Sequence, residues 1–233
     1  MDATDDVMNT ISEFIYFRVE PSVKPEDPNS DEGYALLRVF EAVKAQCAYR
    51  SSAWGRSVED ESVIVWVVEW TDIYAGTNLT YLKPFVPPDT HIQAVYATLT
   101  PPIHATETLT KNPITELCAL AFESGLPPAQ QTKLSCDLVH FRSTLTGSSV
   151  LPEGQRPTSW TMGYVERPGT VPMEKSPTGK ALVYLLVVGW PSVEAHLEAK
   201  KSEAFAEGIK SVREAMLGTA PGLGMMHVSF RKV

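Results

Sequence analysis

The feature that most constrains this chain is an order of elements that occurs twice. Residues 13–20 (EFIYFRVE) are rich in β-formers and alternate in polarity, which predicts a strand. A polar loop from Pro21 to Asp31 follows. Leu36, Phe40, Val43 and Cys47 then recur at i, i+4, i+7 and i+11, the apolar face of a helix. Residues 53–59 form a short strand, and Asp60 and Glu61 the turn after it. Residues 62–70 (SVIVWVVEW) are almost continuously apolar, as in a strand covered on both faces. Thr71 and Asp72 can cap a second helix, which Pro84, Pro87 and Pro88 bring to an end. Residues 91–99 read as a last strand.

The second half runs through the same order. Residues 114–122 form a strand, and Pro127 and Pro128 open a helix whose face is Leu134, Leu138 and Phe141. A loop from Thr146 to Pro157 leads to a strand over 159–166. A second loop, Arg167 to Gly179, leads to the apolar strand 181–190. Ser192 can cap the next helix, with Phe205, Ile209, Val212 and Met216 on its buried face, Gly218 at its end and a closing strand over 225–231. Each long third strand ends in Trp (Trp70, Trp190), and each second strand in Val-Glu (Val58-Glu59, Val165-Glu166). The order β-α-β-β-α-β is that of a ferredoxin-like repeat. The reading is therefore an α+β chain with one repeat over 10–100, a proline- and threonine-rich linker over 101–113 and a second repeat over 114–233. Packing the two sheets together as a barrel, a pseudo-dimer within one chain, buries the sheet faces that neither repeat covers alone.

The segments Val187-Val188-Gly189-Trp190-Pro191-Ser192-Val193-Glu194-Ala195-His196 and Ser202-Glu203-Ala204-Phe205 resemble the antibiotic-biosynthesis-monooxygenase type of dimeric α+β barrel. The resemblance covers most of the second half. In the first half it rests on Val68-Glu69-Trp70-Thr71-Asp72 and the element order. It implies a fold whose members include cofactor-free oxygenases, cyclases, haem-binding relatives and proteins without known chemistry. Members often carry a histidine six residues before the Phe of the second helix; Ala199 and Leu79 stand there in this sequence, and His196 lies about one turn earlier.

Charge and motifs narrow the chemistry by exclusion. A formal charge of −8 with no basic stripe disfavours a nucleic acid partner. No apolar run is long enough to span a bilayer, and Met1 to Asp6 are acidic and polar without a leader pattern, so no membrane partner and a cytoplasmic location are expected. Cys47, Cys118 and Cys136 fit buried free thiols. The sequence has no HExxH, CxxC, GxSxG or P-loop. Gly222-Leu223-Gly224 precedes a strand and reads as a turn.

Candidate residues therefore come from strand faces. His227 shares a face with Met225, Ser229 and Arg231. It is a general base if that face is the barrel interior, and a hydrogen-bonded structural histidine otherwise. Tyr164 and Tyr184, on faces with Trp160 and Met162 and with Leu182 and Leu186, can orient a ligand or fill core. Arg18 alternates with Phe14 and Tyr16 and needs a counter-charge, for which Glu69 is in reach. Tyr16, Trp66, Trp160 and His140 complete the expected pocket. His196, beside Glu194 and Glu198, reads as a solvated surface residue, and His91 and His104 as structural. No pair of histidines has close metal-ligand spacing. These readings converge on a cofactor-independent enzyme for a small hydrophobic or aromatic metabolite, a cyclase, isomerase, decarboxylase or oxygenase of natural-product metabolism. His227 would be the base, and Tyr164, Tyr184 or Arg18 would stabilise the anion. The alternative is a non-catalytic small-molecule-binding or structural barrel. Haem binding would require His227 or His196 as axial ligand. Further homo-oligomerisation is compatible with either reading.

Overall fold

The computed structural model describes residues 10–147 and 151–233; Met1 to Asp6 and the middle of the Thr146–Pro157 loop lie outside that range. Strand β1 (Ile11–Arg18) lies between β3 (Val63–Trp70) and β4 (Gln93–Ala97), and β2 (Tyr49–Ser57) pairs with β3. In the second half, β5 (Ile114–Glu123) lies between β8 (Lys180–Trp190) and β10 (Met225–Lys232), and β6 (Ser159–Arg167) pairs with β8. All these pairings are antiparallel. Two seams, β2 to β10 and β4 to β6, join the halves into one closed barrel of eight strands. Short strands β7 (Val171–Pro172) and β9 (Met216–Thr219) extend the edges of β8 and β5.

The two-residue period of the strands sorts their side chains. Phe14, Val65, Val67, Leu117, Leu185 and Val228 point inward and form the barrel core. The outward faces carry the tryptophans. Trp54, Trp66 and Trp70 are covered by α1 (Asp31–Ala42), which inserts Leu36 and Phe40 and is capped by Ser30. Trp160 and Trp190 are covered by α3 (Pro128–Thr146), α4 (Val193–Lys201) and α5 (Glu203–Ala215). Ser192 caps α4 by accepting from the amide of Ala195, and Ser202 caps α5 by accepting from that of Phe205. The short helix α2 (Ile103–Thr106) sits in the segment expected as a linker and plugs Ile103 into the barrel interior.

Three expectations change. No α-helix follows Trp70: Asp72 accepts from the amide of Tyr74 to form a turn, and Pro84 confines the rest to a 3-10 helix, Leu79–Phe85. Gly218 does not end a helix; α5 stops at Ala215, and Gly218, at φ 143°, lies within β9. Only Cys118 of the three free cysteines is buried. Among the described residues, no helix is long and apolar enough to cross a membrane.

Candidate functional site

The outward face of β5 places Glu116, Cys118 and Leu120 beneath α4 and α5, and Glu116 is 8% exposed. Antiparallel register sets Ile114 opposite Trp190, so the Trp190 indole leans over the start of β5 and donates Nε1–H to Glu116 Oε2 at 3.0 Å. The Ser192 cap turns the chain back over Trp190. One turn later His196 stacks on that indole, with ring centroids 4.7 Å apart and planes 24° from parallel, and its Nε2 lies 3.4 Å from Glu116 Oε2. On β10, His227 is in register with Glu116, and its Nε2 is 2.7 Å from His196 Nδ1. Glu59, just beyond β2, accepts from the His227 amide at 2.9 Å and meets the His227 Nδ1 at 2.5 Å. Four side chains thus form one row, Glu116–His196–His227–Glu59. Both histidines are buried, at 1% and 2% exposed, whereas the Glu59 side chain is 45% exposed.

The row takes one polarity when both imidazoles are neutral. Burial of part of Glu59 pushes its carboxyl up, but the hydrogen bonds from His227 hold it below the ordinary carboxylate range. Glu59 is then an acceptor, and His227 Nδ1 must carry the proton. This leaves His227 Nε2 bare to accept from His196 Nδ1–H, and His196 Nε2 bare toward Glu116. Burial, aided by the nearby Lys200, pushes the His196 imidazole down to about 3. Burial also raises the Glu116 carboxyl, against the opposing pull of the Trp190 indole. The His196–Glu116 contact has ion-pair geometry, but both shifts run against the charged forms.

Glu116 and His196 open onto a cavity of about 160 Å³ between the sheet and α3, α4 and α5. Its walls are apolar, among them Trp160, Trp190, Phe205 and Ile209. Lys200 and the exposed Arg213 also line it and place cations beside an otherwise greasy chamber. Trp160 packs edge-on against Phe141 at 5.6 Å, and its indole N–H has no partner among the described residues. Cys118 also lines the cavity, with its thiol pushed up to about 12 by burial and by Glu116.

The first half has a counterpart at the same register. Ile11 faces Trp70 as Ile114 faces Trp190, and Glu13 receives the Trp70 indole at 2.9 Å. Glu13 is fully buried and further tied by the amide and hydroxyl of Thr77, both at 2.9 Å, and by the Tyr96 hydroxyl at 2.6 Å. Tyr96 stands opposite Glu13 on β4 as His227 stands opposite Glu116 on β10. Arg167 stacks on the Tyr96 ring at 3.6 Å. Leu82 and Phe85 fill the space beneath α1. Glu13 lines neither the Glu116 cavity nor four other pockets formed by the described residues.

Of the expected site residues, the structure brings His227 and Trp160 to this region and disperses the others. His227 faces outward under α4 rather than into the barrel, whose interior takes Val228 and Phe230. It stands one residue behind the cavity wall. Tyr164 and Tyr184 pack edge-on against each other at 4.6 Å, and neither lines the cavity; burial pushes the Tyr184 hydroxyl up to about 12. Arg18 does not pair with Glu69. It ends β1 at the surface, 52% exposed, and binds Asp60 at 2.7 Å. Glu69 is instead buried and bonded by Ser51 and His104. Tyr16 is in the barrel core, Trp66 packs on Phe40 in the first half, and His140 is exposed. His196, expected in solvent, is the most buried histidine of the row.

An axial ligand for haem needs a free imidazole nitrogen. Both nitrogens of His227 and the Nδ1 of His196 are engaged in the row, and His196 Nε2 faces Glu116 while its ring lies flat on Trp190. These residues do not fit a haem iron unless the row is dismantled. Among the described residues no cluster of three His, Cys, Asp or Glu side chains could hold a metal ion.

No protein-family model matches the chain, and no curated protein matches its sequence. Solved structures do match. An anthrone oxidase-like protein is 15% identical, with 96% of this chain and 93% of that one covered at a TM-score of 0.59. A protein from Fusobacterium nucleatum subsp. nucleatum, provisionally named a monooxygenase, is 9% identical, with coverages of 95% and 92% and a TM-score of 0.56. A mutant chlorite dismutase from Candidatus Nitrospira defluvii is 8% identical, with coverages of 95% and 92% and a TM-score of 0.52. At such identities the likeness is one of fold. The chain shares with these structures a mixed α+β fold, a closed antiparallel barrel with helices packed outside it.

Proposed function

We propose that this chain is a cofactor-independent acid–base enzyme acting on a small, largely apolar, aromatic metabolite. In this reading its halves are two ferredoxin-like repeats fused into a pseudo-dimer, and only the second keeps an active site. One observation carries the reading. Two carboxylates hold equivalent places beside equivalent tryptophans, yet Glu13 is saturated by hydrogen bonds under a filled core, whereas Glu116 faces a cavity and a bare imidazole nitrogen. A buried carboxyl with a raised pKa is a stronger base once ionised, which suits it to take a proton from a weakly acidic C–H or O–H.

The residues divide the work. Trp160, Trp190 and Phe205 hold an aromatic ring by stacking and exclude water. Glu116 removes the proton, and Lys200 and Arg213 attract the enolate or phenolate that forms. Cyclisation, isomerisation, decarboxylation or reaction with oxygen can follow from such an anion, as expected of natural-product metabolism. The name of the anthrone oxidase-like neighbour fits this substrate class, since an anthrone is an aromatic ketone with an acidic methylene group.

The test uses anthrone and the smaller 2-tetralone in D₂O without oxygen, following methylene exchange by proton NMR and binding by quenching of tryptophan fluorescence. The protein is expected to accelerate exchange of at least one of them, and Glu116→Gln to keep binding and lose the acceleration. Exchange by Glu116→Gln at the native rate would remove the base from this account.

A further inference from the structure

The row of side chains extends past the cavity, and its far half has no role in holding a substrate. We propose that His196, His227 and Glu59 form a proton conduit through which the proton taken by Glu116 reaches the surface and returns, so that the first half of the chain supplies the outer terminus of the second half's site. The inference rests on the reading of Glu116 as the base.

The geometry defines each hop. The proton on Glu116 Oε2 passes to His196 Nε2, across a 3.4 Å contact of the kind that tightens when a ligand closes the site. His196 Nδ1–H gives its proton to His227 Nε2 at 2.7 Å, and His227 Nδ1–H gives its proton to Glu59 Oε1 at 2.5 Å. Glu116 is left ionised, both imidazoles stay neutral with their tautomers reversed, and one proton sits on Glu59 or in water. The reverse hops restore every bond, so the row takes a proton from one substrate atom and gives it back at another.

Three further observations favour transport over simple packing. His196 and His227 are almost wholly buried, so neither exchanges directly with water, whereas Glu59 does. Glu59 lies in a separate groove with Arg18, Asp60 and His91, and Met225 of β10 lines both that groove and the cavity. The counterpart position to His227 is Tyr96, whose hydroxyl ends on Glu13 and leads no further. The charged groups that face the row are Glu116 from β5, Lys200 from α4 and Glu59 from the end of β2.

Glu59→Gln, which keeps an acceptor for His227 but cannot take up its proton, tests the inference in the 2-tetralone and anthrone exchange assay. Exchange should fall at least about tenfold while fluorescence quenching keeps its half-saturating concentration. Glu59→Ala should behave alike and recover exchange as acetate is added. Exchange in Glu59→Gln within about twofold of native would overturn the conduit, and if Glu116→Gln were slow in the same assay the base would survive it. If the native protein exchanged neither probe, the reading of Glu116 would fall and the conduit with it.

Discussion

Glu13 and Glu116 show how one residue type in one place acquires two roles. A carboxylate accepts from several donors at once, and Thr77 and Tyr96 supply those donors to Glu13. At Glu116 the same environment holds His196 and His227, and burial becomes a pKa shift. Glu116→Gln should therefore be at least as stable as the native protein at neutral pH, because a neutral amide has less to lose on burial; thermal melting checks it, and a large drop in Tm would contradict it. His196 gives a second prediction. Its folded pKa of about 3 lies below the ordinary histidine value. Between about 6.5 and 3 the unfolded chain therefore holds the extra proton, and stability falls as pH falls through that range. His196→Gln should flatten that acid limb in urea titrations at a series of pH values. Little of this was legible beforehand. Glu194 and Glu198 make His196 look solvated, and its partners lie on strands far away in sequence. The readable trace was the pattern Ile-Ser-Glu at 11–13 and Ile-Thr-Glu at 114–116, each strand beginning opposite a Trp.

At the level of elements, strands were the most legible, because alternation and uninterrupted apolar runs are local properties. The last helix of the second half was legible from Ser192 and the Phe205–Val212 face, but Ser202 breaks it into α4 and α5, and Met216 passes into β9. The helix expected after Trp70 failed because turn chemistry at Asp72 and the ring of Pro84 overrode it. The seams were invisible in sequence, yet each depends on a glycine. A Cβ on Gly55 would sit 2.4 Å from the Ser229 carbonyl oxygen, and one on Gly163 would sit 1.9 Å from that of Thr98. Both contacts are with backbone, so the strands must separate. Gly55→Ala and Gly163→Ala should each cost about 2 kcal/mol or more, read as a lower urea midpoint. A midpoint unchanged in both would mean that the seams are looser than the pairing indicates.

For the whole molecule, the barrel core draws Phe14, Tyr16 and Val67 from one half and Leu117, Leu185 and Val228 from the other into a single cluster. Neither half retains that core alone, so calorimetry should show one cooperative unfolding transition, and two separated transitions would contradict a shared core. Sharing also explains how Glu59, from the first half, can end a row that begins at Glu116 in the second. The central claim is that Glu116 is a buried carboxyl beside an apolar cavity, with its pKa raised by burial above the ordinary carboxylate value. The measurement that tests it most directly is an infrared pH titration of the carboxylic-acid carbonyl band, in the native protein and in Glu116→Gln. The account predicts a band that persists above the ordinary carboxylate range and is missing from Glu116→Gln. If no such band depends on Glu116, the residue is an ordinary ionised carboxylate paired with His196, and the proposed base is lost.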